Sequence, residues 1–137
     1  MYDEAGLVEP SLIASLLENV QHATWTHYND GDKDYWTSFP KKTCPELPFT
    51  EYRDMFYLKL KPGGKVHRHT DQLKGYVTYH IPIQTNPDAV CFSFEDEVVA
   101  KHLEVGKQYI AHRQHPHWST NDGNTDRIHL LVPVYKE

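Results

Sequence analysis

From Phe56 onward the chain is a succession of short apolar or alternating runs, each closed off by Gly, Pro, Asn or Asp. In the first run Phe56, Leu58 and Leu60 alternate with Tyr57 and Lys59. That period of two places successive side chains on opposite faces of a strand. Lys61-Pro62-Gly63-Gly64 follows as a turn signal. Further strands are predicted over residues 65–70, 76–84, 89–94, 97–102, 108–112, 116–120 and 127–135. Seven or eight short strands with this punctuation indicate an antiparallel sandwich or barrel, most simply a jelly roll. Upstream, Leu12, Ile13, Leu16, Leu17 and Val20 recur at helical spacing behind Pro10, a favoured first helical residue. One helix is predicted over 10–22, packed on the outside of a sheet. Residues 23–50 read as an irregular aromatic loop. There Trp25, Tyr28, Tyr35, Trp36 and Phe39 surround the turn signal Asn29-Asp30-Gly31-Asp32, and Pro40, Pro45 and Pro48 break any long element. Such a loop either lines a substrate pocket or covers the end of the core. The expected fold is therefore mainly β, jelly-roll or cupin-like, with an N-terminal α-helix. The expected organisation is one domain over 1–137, with a helix and aromatic loop region at 1–52 and a β-barrel core at 53–137.

Composition removes several partners. The 137 residues carry a net charge of -5 and no basic stripe, whereas a nucleic-acid backbone requires clustered Lys and Arg. No run of about 18 apolar residues is present, so no membrane span is expected. The sequence opens Met1-Tyr2-Asp3-Glu4, acidic where a secretory signal is basic. Cys44 and Cys91 lack zinc-type spacing and read as ordinary thiols of a reducing compartment. A cytoplasmic location is the expectation.

Ten residues are His, eight of them from position 67 onward, and histidine is the commonest metal ligand. In Val66-His67-Arg68-His69-Thr70-Asp71, residues two apart share a face if the strand is regular. An imidazole and a carboxylate at that spacing can bind one ion, with His117 supplying a third ligand from a distant strand. Two histidines and one carboxylate leave three coordination positions open, the facial triad of non-heme Fe(II) oxygenases. Either His67 or His69 can serve as the first histidine. Arg127 stands ten residues beyond His117, across the turn signal Asn121-Asp122-Gly123-Asn124. If 117 and 127 lie on paired arms of a hairpin, both can point into the barrel. A buried guanidinium there needs an anion, and a dicarboxylate bridging from the metal to Arg127 would supply one.

The order His69-x-Asp71, His117, Arg127 resembles the Fe(II)/2-oxoglutarate-dependent oxygenases, and more narrowly the aspartyl/asparaginyl beta-hydroxylase family. The resemblance runs from about Phe56 to Val134. It rests on Leu60 through Asp71, on Tyr79-His80-Ile81-Pro82-Ile83, on His117-x-x-x-Asn121, and on Arg127-Ile128-His129-Leu130-Leu131. It implies a double-stranded β-helix with iron at the barrel mouth, held by His69, Asp71 and His117. It also implies 2-oxoglutarate and dioxygen as cosubstrates, succinate and CO2 as co-products, and hydroxylation of an unactivated C–H bond. Arg127 would bind the far carboxylate of 2-oxoglutarate. His80 occupies the histidine of the family's Arg-x-His pattern, near the metal-side carboxylate, although Thr78 replaces the Arg. The family name points to an Asp- or Asn-type side chain as substrate, but the segment before residue 53 carries no matching pattern, and the substrate is left open. The competing readings are a cupin-like metal-binding protein and a metal-dependent isomerase without 2-oxoglutarate.

The remaining candidates take ordinary roles. His115 is expected to flank the site and His129 to line the core. His22, His27, His102 and His112 are read as surface or satisfied histidines. Trp118 is expected to point away from His117 and pack, Asn121 to organise its turn, and Glu95-Asp96-Glu97 to form a solvated turn. Ser119 lacks a nucleophile-elbow context, and Lys61 to Lys65 lacks phosphate-loop spacing.

Overall fold

The computed structural model describes residues 2–28, 33–38, 47, 49, 52, 55–71, 75–112 and 115–135. The Asn29–Asp32 turn signal, Phe39, Pro40, Cys44, Pro45 and Pro48 lie outside them. The chain forms β1 (Tyr2–Leu7), α1 (Pro10–Gln21), β2 (Thr26–Tyr28), β3 (Lys33–Ser38), β4 (Phe56–His69), β5 (Tyr76–Gln84), β6 (Ala89–Phe94), β7 (Val98–Lys101), β8 (Lys107–Ala111), β9 (His117–Asn121) and β10 (Arg127–Tyr135). All pairings are antiparallel. The order is β1-β8-β5-β10-β4-β9-β6-β7, with β3 also on β4 and β2 on β3. This is the expected mainly-β jelly roll with one leading helix. No helix among the described residues is long and apolar enough to cross a membrane.

Strands β5 and β10 are buried on both faces. On the outer face Ile81, Ile83, Ile128, Leu130 and Val132 meet Ile13, Leu16 and Val20 of α1, as the helical spacing predicts. On the inner face β5 presents Thr78 and His80, and β10 presents Arg127, His129 and Leu131. Double burial explains why β10 reads as a nearly continuous apolar run. Asn19 of α1, itself buried, accepts a 2.6 Å hydrogen bond from the Tyr57 hydroxyl and ties the helix to β4.

Three sequence expectations are corrected. The region 23–50 is not wholly irregular, because β2 and β3 form a hairpin whose second strand joins the sheet. The acidic N-terminal stretch is a strand on β8. Lys61-Pro62-Gly63-Gly64 does not end a strand but bends one. Lys33 pairs with Lys65, and Tyr35 with Leu60, so β4 gains three residues on β3 across this stretch. Pro62 has no N–H to give a ladder, and Gly63 sits at φ +78, where a residue without Cβ is favoured. The result is a bulge, and β4 changes partner across it: residues 56–60 pair with β10 and 65–69 with β9.

The expected β9–β10 hairpin is corrected as well, since the two strands pair with successive segments of β4 and no pairing links them to each other among the described residues. The turn that joins them is held by Asn121, which is fully buried. Its Nδ2 donates to the Leu60 carbonyl (2.8 Å) and the Thr125 carbonyl (2.9 Å). Its Oδ1 accepts from Gly123 N and from Asn86 Nδ2, both at 3.1 Å. Asn121→Ala removes all four of these bonds and takes from the Leu60 carbonyl its buried side-chain donor. It is expected to cost about 1–3 kcal/mol, read as a lower urea midpoint at unchanged slope.

Candidate active site

His69 ends β4, Asp71 follows it by two residues, and His117 opens β9, where its backbone pairs with that of His69. One ligand atom from each lies within 4.8 Å of the others. Asp71 Oδ2 is 3.2 Å from His117 Nε2 and 3.7 Å from His69 Nε2. Both imidazoles are oriented by the same device. His69 Nδ1 lies 2.6 Å from the His67 carbonyl, and His117 Nδ1 lies 2.8 Å from the His115 carbonyl. A carbonyl only accepts, so each Nδ1 carries the proton and each Nε2 turns toward the shared centre. Fixing the tautomer through the second nitrogen is how metal-binding histidines are held. Two Nε2 atoms and one carboxylate suit a divalent transition metal.

The choice between His67 and His69 follows from a second irregularity in β4. Val66 pairs with Ser119 and His69 with His117, so three steps on β4 match two on β9. The regular alternation assumed for 67, 69 and 71 is broken there. Val66 and His69 both line the pocket, while the His67 side chain is exposed. His67 and His115 therefore contribute carbonyls to the site rather than imidazoles. Trp118 points away from the site, as expected, and stacks on Phe92 at 5.5 Å.

The same pocket is lined by Arg127, His80, Cys91 and Tyr2, with Phe56, Leu58 and Leu131 as apolar wall. Arg127 is 4% exposed. Its Nε has no hydrogen-bond partner, and one terminal nitrogen reaches only the Cys91 sulfur at 3.9 Å. A buried cation left this incompletely satisfied is costly unless a ligand supplies an anion. Cys91 is a free thiol, and its burial pushes the thiol pKa up despite Arg127 and a Tyr2 hydrogen bond. It is neutral in this setting. His80 is buried in the pocket wall, its Nδ1 3.4 Å from His129 Nδ1; Thr78, where the family has Arg, is wholly buried.

His129 lies behind the pocket as core lining, 1% exposed. Burial first, then the Arg127 charge, holds its pKa well below the ordinary histidine value, so the imidazole stays neutral. At pH below about 6.5 the unfolded chain takes up a proton that this buried ring refuses. Stability that is present above that pH is lost as pH falls. Denaturation midpoints measured from pH 7.5 to 5.5 should decline less steeply in His129→Leu than in the natural chain. Two further histidines are satisfied locally: His102 Nδ1 lies 2.9 Å from the Ala89 carbonyl, and His112 pairs with Asp3 at 2.7 Å; His22 and His27 are exposed. Glu95, in the exposed β6–β7 turn, lies 3.4 Å from His115.

A jelly roll with this donor set at one end of its pocket has the architecture of the Fe(II)/2-oxoglutarate oxygenases. The chain belongs to the aspartyl/asparaginyl beta-hydroxylase family, whose model matches residues 13–137. The match therefore reaches back through α1, beyond the Phe56–Val134 span of the sequence resemblance. Among solved structures, a prolyl-4-hydroxylase of Pseudomonas putida aligns with TM-score 0.77 over 99% of this chain and 92% of that one, at 11% identity. The α-ketoglutarate-dependent epimerase SnoN of nogalamycin biosynthesis aligns with TM-score 0.77 over 95% and 75%, at 11% identity. A predicted oxalate decarboxylase of Thermotoga maritima aligns with TM-score 0.57 over 83% and 92%, at 19% identity. These likenesses concern the fold. A search of curated proteins by sequence finds no match.

Proposed function

We propose that the protein is an Fe(II)- and 2-oxoglutarate-dependent dioxygenase that hydroxylates a C–H bond of a substrate still to be identified, all within one domain spanning residues 1–137. The observation that carries the reading is the pairing, in one pocket, of the His69/Asp71/His117 cluster with a buried guanidinium whose Nε lacks a partner. In this reading His69, Asp71 and His117 hold the iron. When bound, the iron supplies dioxygen activation coupled to decarboxylation of 2-oxoglutarate to succinate and CO2.

The chain's own residues do the rest. The His67 and His115 carbonyls fix both imidazoles before any ion arrives, which lowers the cost of assembling the site. Arg127 receives the distal carboxylate of 2-oxoglutarate through a planar fork that suits it. His80 faces the same pocket and is assigned to the metal-side carboxylate. Phe56, Leu58 and Leu131 exclude water, which strengthens the charge pairing inside. A cupin-like metal-binding protein and a metal-dependent isomerase remain the alternatives, and similarity to the decarboxylase fold keeps them in view. Neither requires Arg127.

The test is anaerobic addition of Fe(II) and 2-oxoglutarate to metal-free protein. An absorption band that needs both additions, followed by succinate release on admitting oxygen, is the expected result. Metal binding with no band and no succinate would return the chain to the cupin-like readings.

A further inference from the structure

Strands β6 and β9 run their period of two backwards. In β6 the buried positions are Ala89, Cys91 and Ser93, while Val90 and Phe92 are half-buried and Phe94 is exposed. In β9 the buried positions are His117, Ser119 and Asn121, and Trp118 and Thr120 point the other way. Small and polar side chains thus face inward, and the aromatic ones face out. β7 adds Val98, paired with Phe94, to the same outer face. Phe94 is 38% and Val98 57% exposed. On the opposite sheet α1 covers the outer face of β5 and β10. Among the described residues, β6, β7 and β9 make their main contacts within their own sheet. An outer face built from aromatic and branched apolar side chains marks a surface that another protein covers.

Charge is laid out unevenly around this face. The sheet order β4-β9-β6-β7 gives it a β4 side and a β7 side. On the β4 side, Lys65 and Arg68 line a groove beside Trp118. The Arg68 guanidinium lies 5.2 Å from the centre of the Trp118 ring and 5.0 Å from that of Phe94, so cation–π attraction holds it over the aromatic pair. No carboxylate among the described residues pairs with Arg68 or Lys65. On the β7 side the turn Glu95-Asp96-Glu97 is exposed, and Asp96 and Glu97 have no cationic partner among the described residues. A two-fold axis parallel to the strands would reverse the order β4-β9-β6-β7 in a second copy. The basic side of each copy would then meet the acidic turn of the other, with the outward aromatics between them. A partner of one charge sign would match one side of the face and be repelled by the other.

We propose that two copies of the chain associate through this outer face as an isologous dimer, with Phe92, Phe94 and Trp118 packed centrally and Arg68 meeting the acidic turn of the other copy. The dimer is independent of the oxygenase reading, and either can fail alone. Sedimentation equilibrium of the full chain at about 100 μM, above the micromolar dissociation constants that modest interfaces reach, should give a dimer. A natural chain that stays monomeric there overturns the proposal. Arg68→Glu sets acid against acid at both ends, and Asp96→Arg combined with Glu97→Arg sets base against base. Each variant should raise the dissociation constant at least about tenfold, because like charges juxtaposed across an interface repel strongly. An equimolar mixture of the two variants makes both ends complementary again and should dimerise as the natural chain does. Variants that dimerise undiminished on their own place the interface elsewhere and overturn the proposal, and so does a mixture that stays monomeric. Circular dichroism checks that each variant is folded. Should one not be, carbene footprinting of the natural chain decides. Phe94 and Val98 shielded at high but not at low concentration supports this face, and equal labelling overturns it.

Discussion

His117→Ala is expected to leave the protein without bound iron after dialysis, while His67→Ala keeps a full complement. His117 supplies one of only three donor groups in the cluster, and its Nε2 lies 3.2 Å from Asp71. Losing a hydrogen bond that merely orients a ligand costs about 10–100-fold in metal affinity; losing the ligand itself should cost more. His67 behaves differently because the site uses its carbonyl, which alanine retains. Metal analysis of the two variants, with the natural chain as reference, separates the roles. Equal iron loss in both would mean that the bulge between Val66 and His69 does not turn His67 outward in solution.

Arg127→Met should do the reverse, keeping iron while losing the cosubstrate. Truncating one partner of a buried charge pair costs about 2–5 kcal/mol in binding, a rise of roughly 30- to 4,000-fold in the dissociation constant for 2-oxoglutarate. The same change should raise the stability of the ligand-free protein, because in that state Arg127 has a sulfur at 3.9 Å and an orphaned Nε in place of an anion. Replacing such buried charge by an apolar side chain of similar volume is commonly neutral or stabilising by about 1–4 kcal/mol. A higher urea midpoint together with lost affinity would identify Arg127 as a group kept for the ligand and not for the fold. A variant both less stable and unaltered in affinity would remove Arg127 from the proposed site.

Much of this was readable before any coordinates. The predicted strands 76–84, 89–94 and 127–135 coincide with β5, β6 and β10, because long apolar runs between turn residues leave few other ways to bury their side chains. The helix ends one residue short of the predicted 22. His69, Asp71, His117, Arg127 and His80 do line one pocket. What escaped the sequence depends on irregular pairing. Alternation of 67, 69 and 71 assumes a regular strand, and a bulge invalidates it. The signal Asn121-Asp122-Gly123-Asn124 marks a turn but cannot say that its two arms will pair with successive segments of β4 in place of each other. β1 shows no alternation of apolar and polar residues because it lies at the edge of the sheet and buries a single side chain. A lone tyrosine among acidic residues offered no local signal of a pocket; only the pairing of β1 with β8 carries it there.

The bulged path of β4 has one more consequence. A single backbone segment is paired to Arg127 at Leu60 and to His117 at His69, so the span between the metal donors and the guanidinium is gauged by main-chain geometry across residues 61–64. Under the proposed function, the carbon count of the diacid that fits is then a property of how Pro62 and Gly63 bend the chain. Side-chain changes around the wall can tune how tightly such a molecule is gripped, but only a change in that bend would move the calliper to a shorter or longer one.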